Sequence, residues 1–185
     1  MTVSKSWMSV WPFLLACSGS VAVDDTADTQ VETGDPPVAP LLVINEFLAS
    51  NDTILADSAG EYDDWLELYN AGDTLVNFEG LYLTDDLATP TMWPLPAGEG
   101  LDAGEFLLIW GDGDTEQGVD HTSFKIDKEA GVLALYIVAD GYDPVRVDGI
   151  NYESQPADLS AARVPDGSDG WEAGQTPSPG TTNGT

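Results

Sequence analysis

The chain has 185 residues, which is room for one domain of ordinary size and a tail but not for a multi-domain assembly. Its 33 acidic residues against 5 basic ones give a formal net charge of −28, and this disfavours nucleic-acid binding, which depends on cationic side chains that displace counterions from phosphates. The 19 glycines and 12 prolines among short apolar runs favour an all-β fold over a helical bundle.

The first 17 residues have the order of a secretory signal. Lys5 is the only charged residue before Asp24, and an apolar run over residues 7–16 ends at Cys17. Ten residues in a helix span about 15 Å, half of a bilayer core, so this run is too short for a transmembrane anchor. The stretch from Leu14 to Cys17, LLAC, resembles the lipobox of bacterial lipoproteins. We therefore predict a signal peptide over residues 1–16 and lipidation of Cys17, with plain secretion as the alternative.

Residues 17–40 predict a disordered acidic linker. They include five acidic residues, no basic residue and no aromatic residue. Such a segment cannot bury enough apolar surface to offset the entropy of ordering it. As a flexible chain it would have an end-to-end distance on the order of 25 Å, which would hold a domain clear of a membrane.

Residues 41–185 predict a β-sandwich or barrel, because short runs rich in β-branched and aromatic residues alternate with Gly, Pro, Asn and Asp clusters. Residues 66, 68 and 70 alternate with residues 65, 67 and 69, which gives one aliphatic face. The stretch 52–61 is predicted to be a loop. Trp65, Trp93, Trp110 and Trp171 are the expected core aromatics. The predicted strands are 41–48, 64–70, 75–78, 81–84, 105–110, 123–126, 132–138, 145–152 and 160–164.

An ordered set of motifs resembles the lamin-tail domain in its bacterial, exported form. The matching stretches are VINEF (43–47), ASN (49–51), DWLELYN (64–70), NFEGLYLTD (77–85), WPLP (93–96), LDAGEFLLIW (101–110), HTSFKI (121–126), residues 147–155 and 160–166, and TPSPGTTN (176–183). The resemblance covers nearly all of residues 41–183. It implies an immunoglobulin-like β-sandwich without a disulfide, and an accessory unit that is not catalytic.

Catalytic chemistry has few candidates. His121 is the only histidine. Ser50, Ser58 and Ser123 are conceivable nucleophiles, but none lies in a G-x-S-x-G elbow or another activating motif. The resemblance places His121 in the HTSFKI stretch and implies a structural role at a strand entrance. We therefore predict that the protein is not an enzyme.

Calcium is the metal that the composition leaves open. One cysteine and one histidine cannot form a tetrahedral thiolate or imidazole site, whereas the oxygen ligands that Ca²⁺ prefers are abundant. No acidic cluster matches the twelve-residue EF-hand loop, and Asp collects at turns for other reasons, so we expect no cofactor. Two lesser acidic pairs are Asp112 with Asp114 and Asp166 with Asp169. The best calcium candidates precede a predicted strand: Asp57, Glu61, Asp63 and Asp64.

Two carboxylate pairs could serve a glycosidase in principle, Asp63 with Asp64 and Glu46 with Glu67. The sequence gives no separation for either pair, and solvation or hydrogen bonds to turn amides is the favoured interpretation. Arg163 lies in a stretch that resembles the family's pattern. We expect its guanidinium to pair with a carboxylate and to pin the last strand.

Together these features predict a non-catalytic binding or scaffolding module of a bacterial lipoprotein. It would be exported and lipid-anchored at the outer membrane or cell surface, and its loops or an edge strand would contact a surface protein or polysaccharide. Membrane contact would come from the lipid anchor only, and nucleic acid is not expected as a partner. The alternative function is a calcium-dependent structural or adhesive extracellular domain, in which the aspartates near residues 57–64 converge.

Overall fold

The computed structural model describes residues 36–184. The predicted signal peptide, the lipidation site Cys17 and the predicted linker up to residue 35 lie outside this range. Residues 36–40 have no regular secondary structure. No helix within residues 36–184 is long and apolar enough to cross a membrane.

Regular structure within residues 36–184 consists of short β-strands in antiparallel sheets. The strands are β1 (Leu42–Leu48), β2 (Trp65–Asn70), β3 (Val76–Asn77), β4 (Leu81–Thr84), β5 (Trp93–Pro94), β6 (Gly100–Leu101), β7 (Phe106–Trp110), β8 (Ala130–Ile137), β9 (Val145–Glu153), β10 (Ser160–Arg163) and β11 (Trp171–Gln175). A five-stranded sheet has the order β11-β10-β1-β2-β7, a four-stranded sheet has the order β5-β4-β8-β9, and β3 pairs with β6. The predicted all-β sandwich is confirmed.

The core lies between the two larger sheets. Leu66 and Leu68 of β2 are fully buried against β4 and β8 side chains such as Leu83 and Leu135. Because successive residues of a strand point to opposite faces, Trp65 and Glu67 lie on the outer face of the five-stranded sheet. The predicted alternation of β2 is therefore confirmed, with the aliphatic face inward.

Arg163 links the two sheets. Its Nη2 contacts both carboxylate oxygens of Asp148 on β9, at 2.8 and 3.0 Å, and its Nε donates to the Ile44 carbonyl at 2.8 Å. The guanidinium also lies 4.9 Å from the ring centroid of Trp171. The expectation that Arg163 pairs with a carboxylate and holds the last strands is confirmed.

The predicted strand over residues 123–126 is wrong. Phe124 and Ile126 are buried in the core, but the Thr122 hydroxyl donates to the Phe124 carbonyl at 2.6 Å, and only isolated bridges form here. The alternate burial that predicted a strand therefore occurs here in a segment without regular structure. Strands β5, β6 and β11 were not predicted; Trp93 is buried, as expected, whereas Trp171 on β11 is only partly buried.

Two different segments cover the outer face of the five-stranded sheet. At one end Leu55, from the loop between β1 and β2, packs against an outer cluster of Leu48, Trp65 and Trp110. At the other end residues 176–184 lie over Glu46 and Glu67, which face each other across β1 and β2. Both covered regions contain buried carboxylates.

Candidate functional site

The loop between β1 and β2 is closed by its own side chains. Asn51 Nδ2 donates to the carbonyls of Leu55 and Asp63, at 2.6 and 2.7 Å, and Asn51 Oδ1 accepts from the amide of Ile54 at 3.0 Å. Within the loop, Asp57 Oδ1 accepts from the amides of residues 59 and 61, at 3.0 and 2.7 Å. These bonds direct the second oxygen of Asp57 into the protein. The predicted loop over residues 52–61 is confirmed.

Side chains from this loop meet a second loop, which follows β7. His121 is 2% exposed, and its Nδ1 lies 2.7 Å from Asp112 Oδ2, while its Nε2 lies 4.0 Å from Asp57 Oδ2. The imidazole stacks on Trp110, with ring centroids 6.1 Å apart. Gln117 Nε2 donates to Glu61 Oε2 at 2.7 Å. We call this group the acidic loop cluster; it contains Asp57, Glu61, Asp63, Asp112, Gln117 and His121.

The acidic loop cluster has more acceptors than donors. Three of its oxygens are buried and have no hydrogen-bond partner: Asp57 Oδ2, Asp63 Oδ2 and Gln117 Oε1. Burial raises the pKa of Asp63, and the neighbouring charges of Asp112, Asp57 and Glu61 raise it further, while His121 lowers it. Buried acceptors without donors are costly, so this region is not explained by packing alone.

His121 is not arranged as a general base. Both of its ring nitrogens face carboxylates, and the ring is nearly inaccessible to a substrate. Of the conceivable nucleophiles, Ser123 Oγ donates to the Met92 carbonyl at 3.4 Å, Ser58 is exposed, and Ser50 lines a groove elsewhere on the loop. The arrangement can orient an imidazole and gather oxygens, but it does not activate a hydroxyl.

An open groove of about 520 Å³ lies beside the same loop. Tyr62 is 51% exposed and lines this groove together with Lys125 and Lys128. Asp64 also belongs here: its Oδ1 accepts from the Asn51 amide at 2.9 Å. Burial raises the pKa of Asp64, and that hydrogen bond offsets part of the rise. We call this feature the Tyr62 groove; its other lining residues are 49–52, 126 and 127.

Asp158 fixes the loop from outside the groove. Its carboxylate accepts from the amides of Asp52 and Thr53, at 2.7 and 3.0 Å, and from the Thr53 hydroxyl at 2.7 Å. These bonds, that of the Thr53 hydroxyl first, lower the pKa of Asp158. Asp158 has a φ of 59°, an unusual value for a residue other than glycine, so the bonds hold a strained backbone.

Glu46 and Glu67, which we call the carboxyl pair, lie under residues 176–184. Both are fully buried. Glu46 Oε1 accepts from the Ser160 hydroxyl at 2.5 Å and from the Ser178 amide at 3.1 Å, and Glu67 Oε2 accepts from the Gly180 amide. The pair is therefore adjacent, as a glycosidase would need, but it is covered and does not face a cleft.

Burial raises the pKa of Glu67 to about 8, and the nearby charges of Glu46 and Asp166 act in the same direction. Burial also raises the pKa of Glu46, although bonds from Ser160 and Ser178 offset part of this. Glu67 therefore holds a proton at neutral pH. Its Oε1 is buried without a partner, and protonation removes the negative charge from that position.

The structure thus brings together three of the four calcium candidates, Asp57, Glu61 and Asp63, and places Asp64 in the Tyr62 groove instead. Asp112 also belongs to the cluster. The sequence did not predict this, because Asp112 is far along the chain from residues 57–63. Asp166 lies apart, with its Oδ1 accepting from Asn45 Nδ2 at 2.9 Å. Gln117 was missed altogether, because an isolated glutamine in a loop carries no sequence signal for a ligand.

Comparison of the chain with family models, curated proteins and solved structures finds no match. The resemblance to lamin-tail domains therefore stays a prediction that rests on the motifs of residues 41–183.

Proposed function

We propose that this protein is a non-catalytic module that binds a polysaccharide in the Tyr62 groove and is held at the bacterial outer membrane by a lipidated Cys17. The single observation that carries the binding proposal is Tyr62, an aromatic ring left 51% exposed in a groove lined by polar side chains. Binding sites combine apolar rings with a few convergent polar groups, which fix orientation.

A sugar ring presents an apolar face and a rim of hydroxyls, and the Tyr62 groove offers a partner for each. The exposed ring of Tyr62 can stack on the face. Carboxylate and ammonium groups such as Asp64 and Lys125 can accept from and donate to the hydroxyls. The groove is supported by the closed loop and by Asp158, so the ring is presented by an ordered backbone.

The distribution of positive charge also supports this location. Lys125 and Lys128 both line the groove, although the described residues include only two other cationic side chains, Arg146 and Arg163. Arg163 is buried in its pairing with Asp148. The groove therefore offers two cations beside the carboxylates of Asp52, Asp64 and Asp127, a mixture of donors and acceptors that suits the hydroxyls of a sugar.

The experiment is affinity electrophoresis of the full chain through gels that contain neutral or uronate-bearing polysaccharides. Tyr62→Ala should weaken the binding of the retained polysaccharide by about tenfold, since stacking on an aromatic ring contributes about 1 kcal/mol or more. Tyr62→Phe keeps the ring and should bind like the wild type.

Leu75→Ala is the matched control, because Leu75 is exposed to a similar degree but lies away from the groove. Equal retention of Tyr62→Ala and Leu75→Ala would refute the groove as the site. Free migration of the wild type through every gel would refute polysaccharide binding itself.

The anchor has its own test. Mass spectrometry of the membrane-bound chain should find residue 17 as the first residue, with a mass that includes acyl chains. Cys17→Ser should leave the precursor uncleaved. A mature chain that starts elsewhere and carries no lipid would replace the anchor with plain secretion and would leave the binding proposal in place.

A further inference from the structure

Negative charge is concentrated in the acidic loop cluster with little to balance it. Asp57, Asp63 and Asp112 lie around His121, whose imidazole can supply at most one positive charge. Glu61 adds a fourth carboxylate through its bond to Gln117. Buried or half-buried carboxylates normally find cations or hydrogen-bond donors, and here the donors are too few.

Three buried oxygens of the cluster have no hydrogen-bond donor, which indicates that a cation could bind there. The side chain of Asp57 has no exposed surface, and its Oδ1 is fully used by the turn amides, while its Oδ2 has no hydrogen-bond partner. Asp63 Oδ2 and Gln117 Oε1 are buried and unpartnered as well. The Gln117 amide is held in the cluster by its Nε2, which donates to Glu61 Oε2, and a side-chain amide oxygen without a donor is a ligand that Ca²⁺ accepts.

We propose that the acidic loop cluster binds one calcium ion, with Asp57 Oδ2, Asp63 Oδ2 and Gln117 Oε1 as its central ligands. Ca²⁺ takes six to eight oxygens in flexible geometry and accepts carboxylates, amide carbonyls and waters together. Asp112 remains bonded to His121 and adds its charge from the side. Mg²⁺ fits less well, because it requires near-ideal octahedral geometry and retains its waters.

The ion would have to draw its ligands together. Among residues 36–184, no three or more His, Cys, Asp or Glu side chains are already placed to hold a metal ion. Two carboxylates, one amide oxygen and water form a set of a different kind, supplied by two loops. Such a site gives weak affinity, with a dissociation constant of roughly 10⁻⁴ to 10⁻³ M, as in extracellular calcium modules.

Calcium would also act on the Tyr62 groove, and this part rests on the proposed function. Tyr62 stands in the chain between Glu61 and Asp63, so an ion that fixes Asp63 restrains the backbone that presents the aromatic ring. We expect polysaccharide retention to increase with calcium. Calcium binding itself is independent of any sugar, so the two proposals can fail separately.

The test is calorimetric titration of the full chain with CaCl₂ in 150 mM NaCl, which screens diffuse attraction to the acidic surface. One ion per chain should bind. Tb³⁺, a substitute for Ca²⁺, should luminesce on excitation of tryptophan, because Trp110 stacks against the cluster. Absence of heat and of luminescence at millimolar metal would overturn the proposal.

Asp57→Asn and Asp63→Asn are the informative variants, and Asp102→Asn, at an exposed turn, is the matched control. Asn at position 57 keeps an oxygen for the turn amides, so the loop should still fold. Each of the first two variants should weaken calcium binding tenfold or more. Equal affinity in all three variants would mean that calcium binds only as a diffuse counterion.

A melting experiment separates a ligand role from a merely structural one. With a chelator, Asp63→Asn should melt at or above the wild-type temperature, because one repelling charge has been removed. With 10 mM CaCl₂ the wild type should melt higher and the variant should not, so the order reverses. A variant that melts below the wild type by the same margin in both conditions would refute the site.

Discussion

The acidic loop cluster and the carboxyl pair both lie against the outer face of the five-stranded sheet, yet they satisfy their carboxylates differently. Over the carboxyl pair, residues 176–184 deliver backbone amides and a serine hydroxyl to Glu46 and Glu67. Over the acidic loop cluster, the covering loop uses its amides internally on one oxygen of Asp57. Thus, one buried oxygen of the carboxyl pair, Glu67 Oε1, lacks a hydrogen-bond partner, against three in the acidic loop cluster.

The difference shows that burial alone does not decide the state of a carboxylate. Glu67 sits where a proton and one amide suffice, and its pKa rises to about 8. In the acidic loop cluster three buried oxygens lack a donor, and a single proton could serve only one of them. The first arrangement favours a neutral acid, and the second is where we propose a calcium ion.

The largest expected effect comes from breaking the better-satisfied region. Glu46→Ala removes the acceptor for the Ser160 hydroxyl and for the Ser178 amide and hydroxyl, and it leaves Ser160 with only the 3.5 Å bond to the Gln175 carbonyl. The free energy of unfolding should fall by about 3 kcal/mol, since each stranded buried donor costs roughly 1–3 kcal/mol. Urea unfolding at pH 6 measures it.

Exposed Glu79 provides the comparison for that experiment, because Glu79→Ala should change stability by less than about 0.5 kcal/mol. If Glu46→Ala is no more destabilising than this control, the hydrogen bonds from Ser160 and Ser178 do not hold residues 176–184 on the sheet.

Much of the sandwich could be predicted from the sequence, because strands of four or more residues carry their own pattern. The alternation of β2 placed Leu66 and Leu68 inward, and the run 81–84 matched β4 residue for residue. By contrast, β5 and β6 have two residues each, too few to show a period. Strand β11 carries a glycine with positive φ and no apolar alternation.

The contacts in the two carboxylate regions could not be predicted from local sequence patterns, because they join residues that are far apart in the chain. Gln117 meets Glu61 across 56 residues, and Gly180 meets Glu67 across 113. The sequence identified the acidic residues in the stretch 57–64 as calcium candidates, but only the packing of two loops shows that Asp112 and Gln117 join three of them and that Asp64 lies apart. The sequence suggests Glu46 and Glu67 as a pair, yet their register comes from strand pairing and their cover comes from the C-terminal residues.

A smaller expected effect is the pH dependence of stability, which should arise in the carboxyl pair and not in the acidic loop cluster. The pKa of Glu67 is about 8 in the folded protein against an ordinary value of 4.5, so the folded state retains a proton that the unfolded chain releases. Stability from this proton is complete below about pH 4.5 and is lost as pH rises through about 8. The raised pKa of Glu46 acts in the same direction.

Glu67→Gln removes this titration while keeping a carbonyl oxygen for the Gly180 amide. Melting temperatures measured from pH 5 to 8.5 should therefore fall less steeply in the variant than in the wild type, with the largest difference at pH 8.5. The calcium-dependent shift in melting temperature should be unchanged, because Glu67 supplies no ligand to the acidic loop cluster. A variant with the wild-type pH profile would show that Glu67 is already ionised when buried, and the contrast between a protonated pair and a cation-binding cluster would then be wrong.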